Sequence, residues 1–149
     1  MMRYLTVDEV KSAIPEDVLA RLTDDDPAHS ITQKITDDSK IESAILWAEA
    51  YADSQLAKRY VAPLDLAAIG SDGARDLIKE ATIQMTIYRL YARVEQEAVA
   101  KDKRELADRT LADLASGKIE LPGAEERARA RIRYRAAKPI FSSNTDEEQ

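Results

Sequence analysis

Asp24, Asp25 and Asp26, followed by the only histidine, His29, are the residues whose types and spacing come nearest to a metal or acid–base site. A calcium loop starting at Asp24 would need glycine at its sixth position and glutamate at its twelfth, and these are His29 and Ile35. His29 has no cysteine or second histidine to share a metal, and no neighbour in sequence to orient it as an acid or base, so it is expected to face solvent. The chain lacks cysteine, which excludes a disulfide framework, a thiolate nucleophile and a cysteine-ligated zinc. No nucleophile–base–orienter set and no glycine-rich phosphate loop is recognisable. The sequence therefore predicts no catalytic, cofactor-binding or metal residues, no cofactor, and a protein that is not an enzyme.

A second chemistry-bearing pattern lies near the C-terminus. Arg127, Arg129, Arg131, Arg133 and Arg135 alternate with Ala128, Ala130, Ile132 and Tyr134. On a strand this alternation puts every guanidinium on one face and the apolar set on the other, whereas a helix scatters both around its axis. The pattern favours an extended arm, although alanine and arginine are individually good helix formers. Such an arm is too narrow to form a core and gains stability by adding to the edge of another sheet, with its arginines paired to carboxylates. Beyond it lie Pro139, Ile140 and the chain's single phenylalanine, Phe141, placed to anchor the end. We take the five arginines with Ile140 and Phe141 as candidate docking residues, on a partner protein or on the acidic body of a neighbouring copy.

Charge is distributed unevenly. Between Glu125 and Lys138 six cations face two glutamates, a local +4, and Asp146 to Glu148 add −3. The total of −6 therefore leaves −7 on residues 1–124. An acidic body argues against a general nucleic-acid binder, which needs positive potential over its contact face. With 44% apolar and 5% aromatic residues, 149 residues suffice for one helix-rich core. No apolar run approaches a membrane span and the start resembles no signal peptide, so a soluble intracellular protein without a membrane partner is expected.

The elements that must position these residues are helices. Thr6 and Glu9 form a capping-box pattern ahead of a short helix, and Pro15 suits the first position of a second. Ser39 and Glu42 read as another capping box opening the longest amphipathic stretch, whose apolar stripe runs through Ile41, Ala44, Ile45, Ala48, Tyr51, Ala52 and Leu56. Pro63 ends it, leaving Tyr60 to Leu64 extended. Leu46 and Trp47 fall off the stripe and are covered either by a second layer of the chain or by another subunit. A helix over 74–94 carries two apolar stripes, one through Leu77, Ala81 and Met85 and the other through Ile83, Ile87, Leu90 and Val94, so it needs two neighbours. One of these can be another subunit, which makes Leu46, Trp47, Ile83, Ile87 and Leu90 the candidate subunit interface. A third long helix is predicted over 97–116 with Gly117 as its cap, followed by a Pro122-Gly123 turn. The expected fold is thus mainly α. A small bundle of three long helices plus short N-terminal ones spans residues 1–118, and an extended C-terminal arm, strand or hairpin, spans 119–149.

Taken together, YLTVDEVKSAIP, LTDDDP, the helix ending in LAKRYVAPL, IKEATIQMTIYRLY, LADLASGKIEL and PIFSSNT resemble a family of Mu-like phage and prophage proteins. The most specific pieces are the tyrosine shortly before proline and leucine at Tyr60 to Leu64, the Tyr88-Arg89-Leu90-Tyr91 step, and Leu-Ala-Ser-Gly-Lys at 114–118. The family is encoded among head and tail genes and is similar in layout to helical head-tail connector, or head-completion, proteins. The loop after Leu22 departs from relatives that carry a glycine and more acids there, and the arginine alternation is not general in the family. The resemblance implies a virion structural protein of the neck of a tailed phage, present in the host cytoplasm during assembly. It also implies a homo-oligomeric ring, twelve-fold, that binds the portal and the tail or neck completion proteins. Genomic DNA would pass through that ring without sequence-specific binding. The alternative, a small helical DNA-binding regulator, would need a basic recognition helix, and the best helices here are acidic or apolar.

Overall fold

The computed structural model describes residues 2–128; the arginines from Arg129 to Arg135, Ile140 and Phe141 lie outside the described residues. Five helices follow in order: α1 Val7–Ala13, α2 Glu16–Thr23, α3 Asp38–Leu56, α4 Asp72–Arg93 and α5 Lys101–Ser116. Short 3₁₀ turns at Leu66–Ala68 and Glu97–Ala100 lead into α4 and α5. The mainly helical expectation holds, and no strand occurs among the described residues.

Local chemistry sets the helix ends, in places not where the sequence pattern put them. The Thr6–Glu9 capping box forms with both of its hydrogen bonds. The Ser39–Glu42 box does not, because Asp37 captures the Ser39 N–H at 3.0 Å and its hydroxyl at 2.6 Å, and the helix begins at Asp38. Pro15 stands just outside α2 as its cap and is not its first helical residue. Ser71 caps α4, which begins at Asp72, two residues before the predicted start, and the Ser71 hydroxyl accepts from the Ala74 N–H. The stretch 97–100 winds as a 3₁₀ turn, so α5 is shorter than predicted. Gly117 ends α5 at φ +80°, the left-handed cap that glycine adopts without a Cβ penalty.

Two apolar clusters share α3 and α4. The first packs Ala48, Ala52 and Leu56 against Ile78, Ala81 and Met85 of α4 and against Ala107, Leu111 and Leu114 of α5. The second packs Ile41, Ala44 and Ile45 with Ile87 and Leu90 of α4 under Leu5, Val10, Ile14, Leu19 and Leu22 from the N-terminal segment, α1 and α2. The two stripes of α4 are therefore both used within one chain: α5 and α3 cover one, and the short N-terminal helices cover the other.

The boundary expected after residue 118 is not a structural one. Leu121 is 5% exposed and lies in the first cluster, with Ile119 and Ala124 packed against it. The Gly70 N–H donates to the Pro122 carbonyl at 2.9 Å, and Gly123 turns at φ +85° where a side chain would collide with the Ala68 carbonyl. The chain then runs antiparallel to residues 59–61. The Val61 N–H donates to the Glu125 carbonyl and the Arg127 N–H to the Arg59 carbonyl, each at 2.8 Å. Residues 119–128 are thus tied to the helices by packing and by backbone hydrogen bonds.

Candidate functional site

At that root the C-termini of α3 and α5 meet. The Arg59 guanidinium reaches the Ser116 carbonyl at 3.3 Å and Glu126 at 2.8 Å, and Arg127 reaches the Ala57 carbonyl at 2.9 Å. These cations satisfy the carbonyls a helix leaves open at its end and oppose the negative end of its dipole. Glu126 holds the Arg59 guanidinium firmly protonated. Arg127, the first of the alternating arginines, is therefore committed to the body.

The acidic loop is consumed internally. Asp24 accepts from the Ile35 N–H and the Asp26 N–H, each at 2.9 Å, and lies 2.7 Å from His29 Nδ1. Those backbone donors first, and His29 after them, hold its carboxyl well below the usual carboxylate range. Asp25 pairs with Arg93 at 2.6 Å and Lys40 at 3.4 Å, while Arg93 also donates to the Leu22 carbonyl. His29 is half-buried against this loop instead of free in solvent. The aspartates tie α2, α3 and α4 together, and among the described residues no cluster suited to a metal is present.

A buried carboxylate escaped the sequence reading. Glu49 is 1% exposed, and its Oε1 accepts from three consecutive backbone N–H groups: Arg3 at 2.7 Å, Tyr4 at 2.7 Å and Leu5 at 3.2 Å. Beside it Asp53 accepts from Arg3 and from the Tyr4 hydroxyl, which in turn accepts from the Leu64 N–H at 2.9 Å. Burial, then the Asp53 hydrogen bond, push the Tyr4 phenol well above its ordinary range. The only signal in the sequence is that Glu49 falls at the stripe spacing, four after Ile45 and three before Ala52.

The five residues expected at a subunit interface divide. Leu90 is fully buried and Ile87 is 5% exposed beneath α1 and α2, so neither offers surface, and that expectation is corrected by the chain's own N-terminal cover. Ile83 is half-buried against the same cluster. Leu46 is 45% exposed, and Trp47 is partly covered. Trp47 stacks on Tyr51 with ring centroids 5.7 Å apart, and the Arg89 guanidinium lies 4.9 Å from its centroid. Alongside, Tyr51 donates to Asp108 at 2.5 Å, and Arg104 reaches the Tyr88 hydroxyl at 3.0 Å. This aromatic and arginine cluster bridges α3, α4 and α5, and it is the composition found at the centres of protein interfaces.

These features define a small helical protein with an acidic body, backbone pairing of residues 125–127 with 59–61, and one aromatic-rich face. The chain belongs to the Bacteriophage Mu, Gp36 family, whose model matches residues 4–136. The match bears out the resemblance to Mu-like phage proteins. Neither the curated proteins nor the solved structures include a match. No helix among the described residues is long and apolar enough to cross a membrane.

Proposed function

We propose that this protein is a structural component of the phage neck, a head-tail connector or head-completion protein without catalytic activity. It would form a ring between portal and tail around the DNA channel in the virion, after assembly in the host cytoplasm. The observation that carries the reading is the separation of charge across a pinned root. Residues 1–128 sum to −8, and the 21 residues that follow carry five cations and three acids, all five cations ahead of the acids. A basic segment tethered to a body fixed by backbone pairing at 59–61 is suited to reach a second protein and align on its carboxylates. The acidic body supports a channel role as well, since like charge removes the attraction that would hold passing DNA.

The test is joining to the portal. Native mass measurement of the full chain mixed with its portal should show a ring on the portal. Changing Arg129, Arg131 and Arg133 to glutamate should weaken joining in a salt-dependent way. Truncation after Ala128, which preserves the paired root, should abolish it. Unchanged joining by the truncated chain would reject the arm as the docking element. Tight, sequence-dependent DNA binding at physiological salt would favour the regulator and reject the connector.

A further inference from the structure

The loop between α2 and α3 is held more firmly than its exposure suggests. Asp24, just past α2, accepts from the Asp26 and Ile35 N–H groups, and its carbonyl accepts from Lys34 Nζ at 3.0 Å. At the far end the Asp37 N–H donates to the buried Thr23 hydroxyl at 2.9 Å. Within the loop the Gln33 N–H donates to the Ser30 carbonyl at 2.9 Å, and the Gln33 side chain accepts from the Ser30 N–H at 3.1 Å. Both ends and the turn between them are fixed in advance, which lowers the ordering entropy that a loop otherwise loses on association. On this loop stand Ile31 and Ile35, 74% and 66% exposed, the two most exposed large apolar side chains among the described residues. A loop that ties up its polar groups internally and turns isoleucine to water has the character of a binding loop on a rigid scaffold.

The charges around the loop narrow what it can meet. Five aspartates, at 24–26 and 37–38, stand against Lys34 and Lys40, and Lys11 and Arg93 reach in from α1 and α4. Lys34 is folded back onto the Asp24 carbonyl, and His29 lies between Asp24 and Asp26. In the other pairs the carboxylate is the outer member. Asp25 is 55% exposed against 21% for Arg93 and 38% for Lys40, and Asp38 is 56% exposed against 39% for Lys11. A surface approaching the isoleucines therefore meets mainly carboxylate, and another acidic body would meet it like with like.

We propose that this loop is a docking element for a different protein, one that offers an apolar socket rimmed by lysine or arginine. Its place in the fold supports this. The loop ends at Asp37, the N-cap of α3, whereas residues 125–127 pair with 59–61 just beyond the other end of that helix. The 19 residues of α3 put about 28 Å between the two ends. This inference rests on the neck reading above, in which the body has a neighbour on either side. The basic segment after residue 128 serves carboxylates of one neighbour, and the acid-rimmed loop serves cations of the other.

The chain has no cysteine, so one introduced thiol carries a probe to one place. The full chain with Ile31→Cys, labelled with a benzophenone maleimide, is added to phage particles assembled without it and irradiated, and the linked peptides are sequenced by mass spectrometry. The expected link is to a different protein of the particle, at an apolar residue close to lysine or arginine. Its yield should be several times that of a Ser12→Cys control, Ser12 being exposed on α1. Ile31→Ser combined with Ile35→Ser should leave the urea midpoint unchanged and lower incorporation into particles roughly tenfold or more. Asp38→Lys should lower incorporation more at low salt than at high. A link to residues 129–149 or to a second copy would overturn the assignment of partner, and a yield no higher than the Ser12 control would overturn the surface. If the parent chain enters particles and the isoleucine variant enters equally well, this inference fails and the neck reading stands; if the parent chain does not enter at all, both fall.

Discussion

Glu49 ends three consecutive backbone N–H groups on one carboxylate oxygen inside the molecule. An acceptor in that position must be charged or strongly polar, because unpaired buried donors cost about 1–3 kcal/mol each. Glu49→Ala strips the acceptor from residues 3–5 and loosens the Tyr4 and Arg3 contacts to Asp53 beside it. We expect it to lower the unfolding free energy by about 2–4 kcal/mol, since part of the exposed Arg3 end rehydrates. Glu49→Gln keeps one carbonyl oxygen but buries an amide without an acceptor, so it should fall between the two in urea titration. A Glu49→Ala protein as stable as the parent would show that the N-terminal segment is not held by this carboxylate. The sequence alone hid the residue because a glutamate inside an apolar stripe reads as a lapse in the stripe, and its partners are 44 to 46 residues away. His29 was misplaced for the same kind of reason. Its proximity to Asp24 depends on a loop turn, and residue types at that spacing do not predict the turn.

Helices were legible where a cap and a period agreed. Thr6 with Glu9, Gly117, and the stripe from Ile41 to Leu56 each declared an element that the structure contains. Starts shifted where a competing side chain stood one or two residues upstream, as Asp37 does before Ser39. The two stripes of α4 correctly required two neighbours, but the pattern cannot say whether a neighbour belongs to the same chain. Here α1 and α2, each too short to be stable alone, are held by burying Ile87 and Leu90. Gly117 offers a test at this scale. Its φ of +80° disfavours any side chain, and an added Cβ would run into the Arg59 guanidinium that ties α5 to the chain at Glu126. Gly117→Ala should therefore cost about 1–2 kcal/mol, more than the left-handed backbone alone explains. Adding Arg59→Ala removes the clash, so the double variant should lose less than the sum of the two single losses. Simple additivity in denaturant titration would show that the two residues do not interfere.

At the scale of the molecule, the open matter is where the body ends. The composition break after Gly117 suggested a boundary at residue 118, because periodicity changes there and a turn follows. Packing overrides it: Leu121 enters the same cluster as Leu111 and Leu114, and residues 125–127 pair with 59–61. A graded set of truncations separates these views. Taking the chain ending at Ala128 as reference, ending at Gly123 removes three backbone hydrogen bonds, the Arg127 contact to the Ala57 carbonyl and the Arg59–Glu126 pair. That should lower stability by about 1–3 kcal/mol, because the hydrogen bonds are near the surface and the pair is only partly buried. Ending at Lys118 also removes Ile119 and Leu121 and opens the first cluster to water. The additional loss should be about 2–5 kcal/mol, the cost of deleting a large buried side chain without refilling its place. If the boundary were at 118, all three chains would unfold at the same denaturant concentration. If residues 119–128 belong to the body, the midpoints fall in two steps, the larger on loss of Leu121. The first step deletes the pairing residues 125–127 themselves, and because both chains already lack everything after Ala128, the difference between them is the stability cost of that pairing separated from any loss of docking.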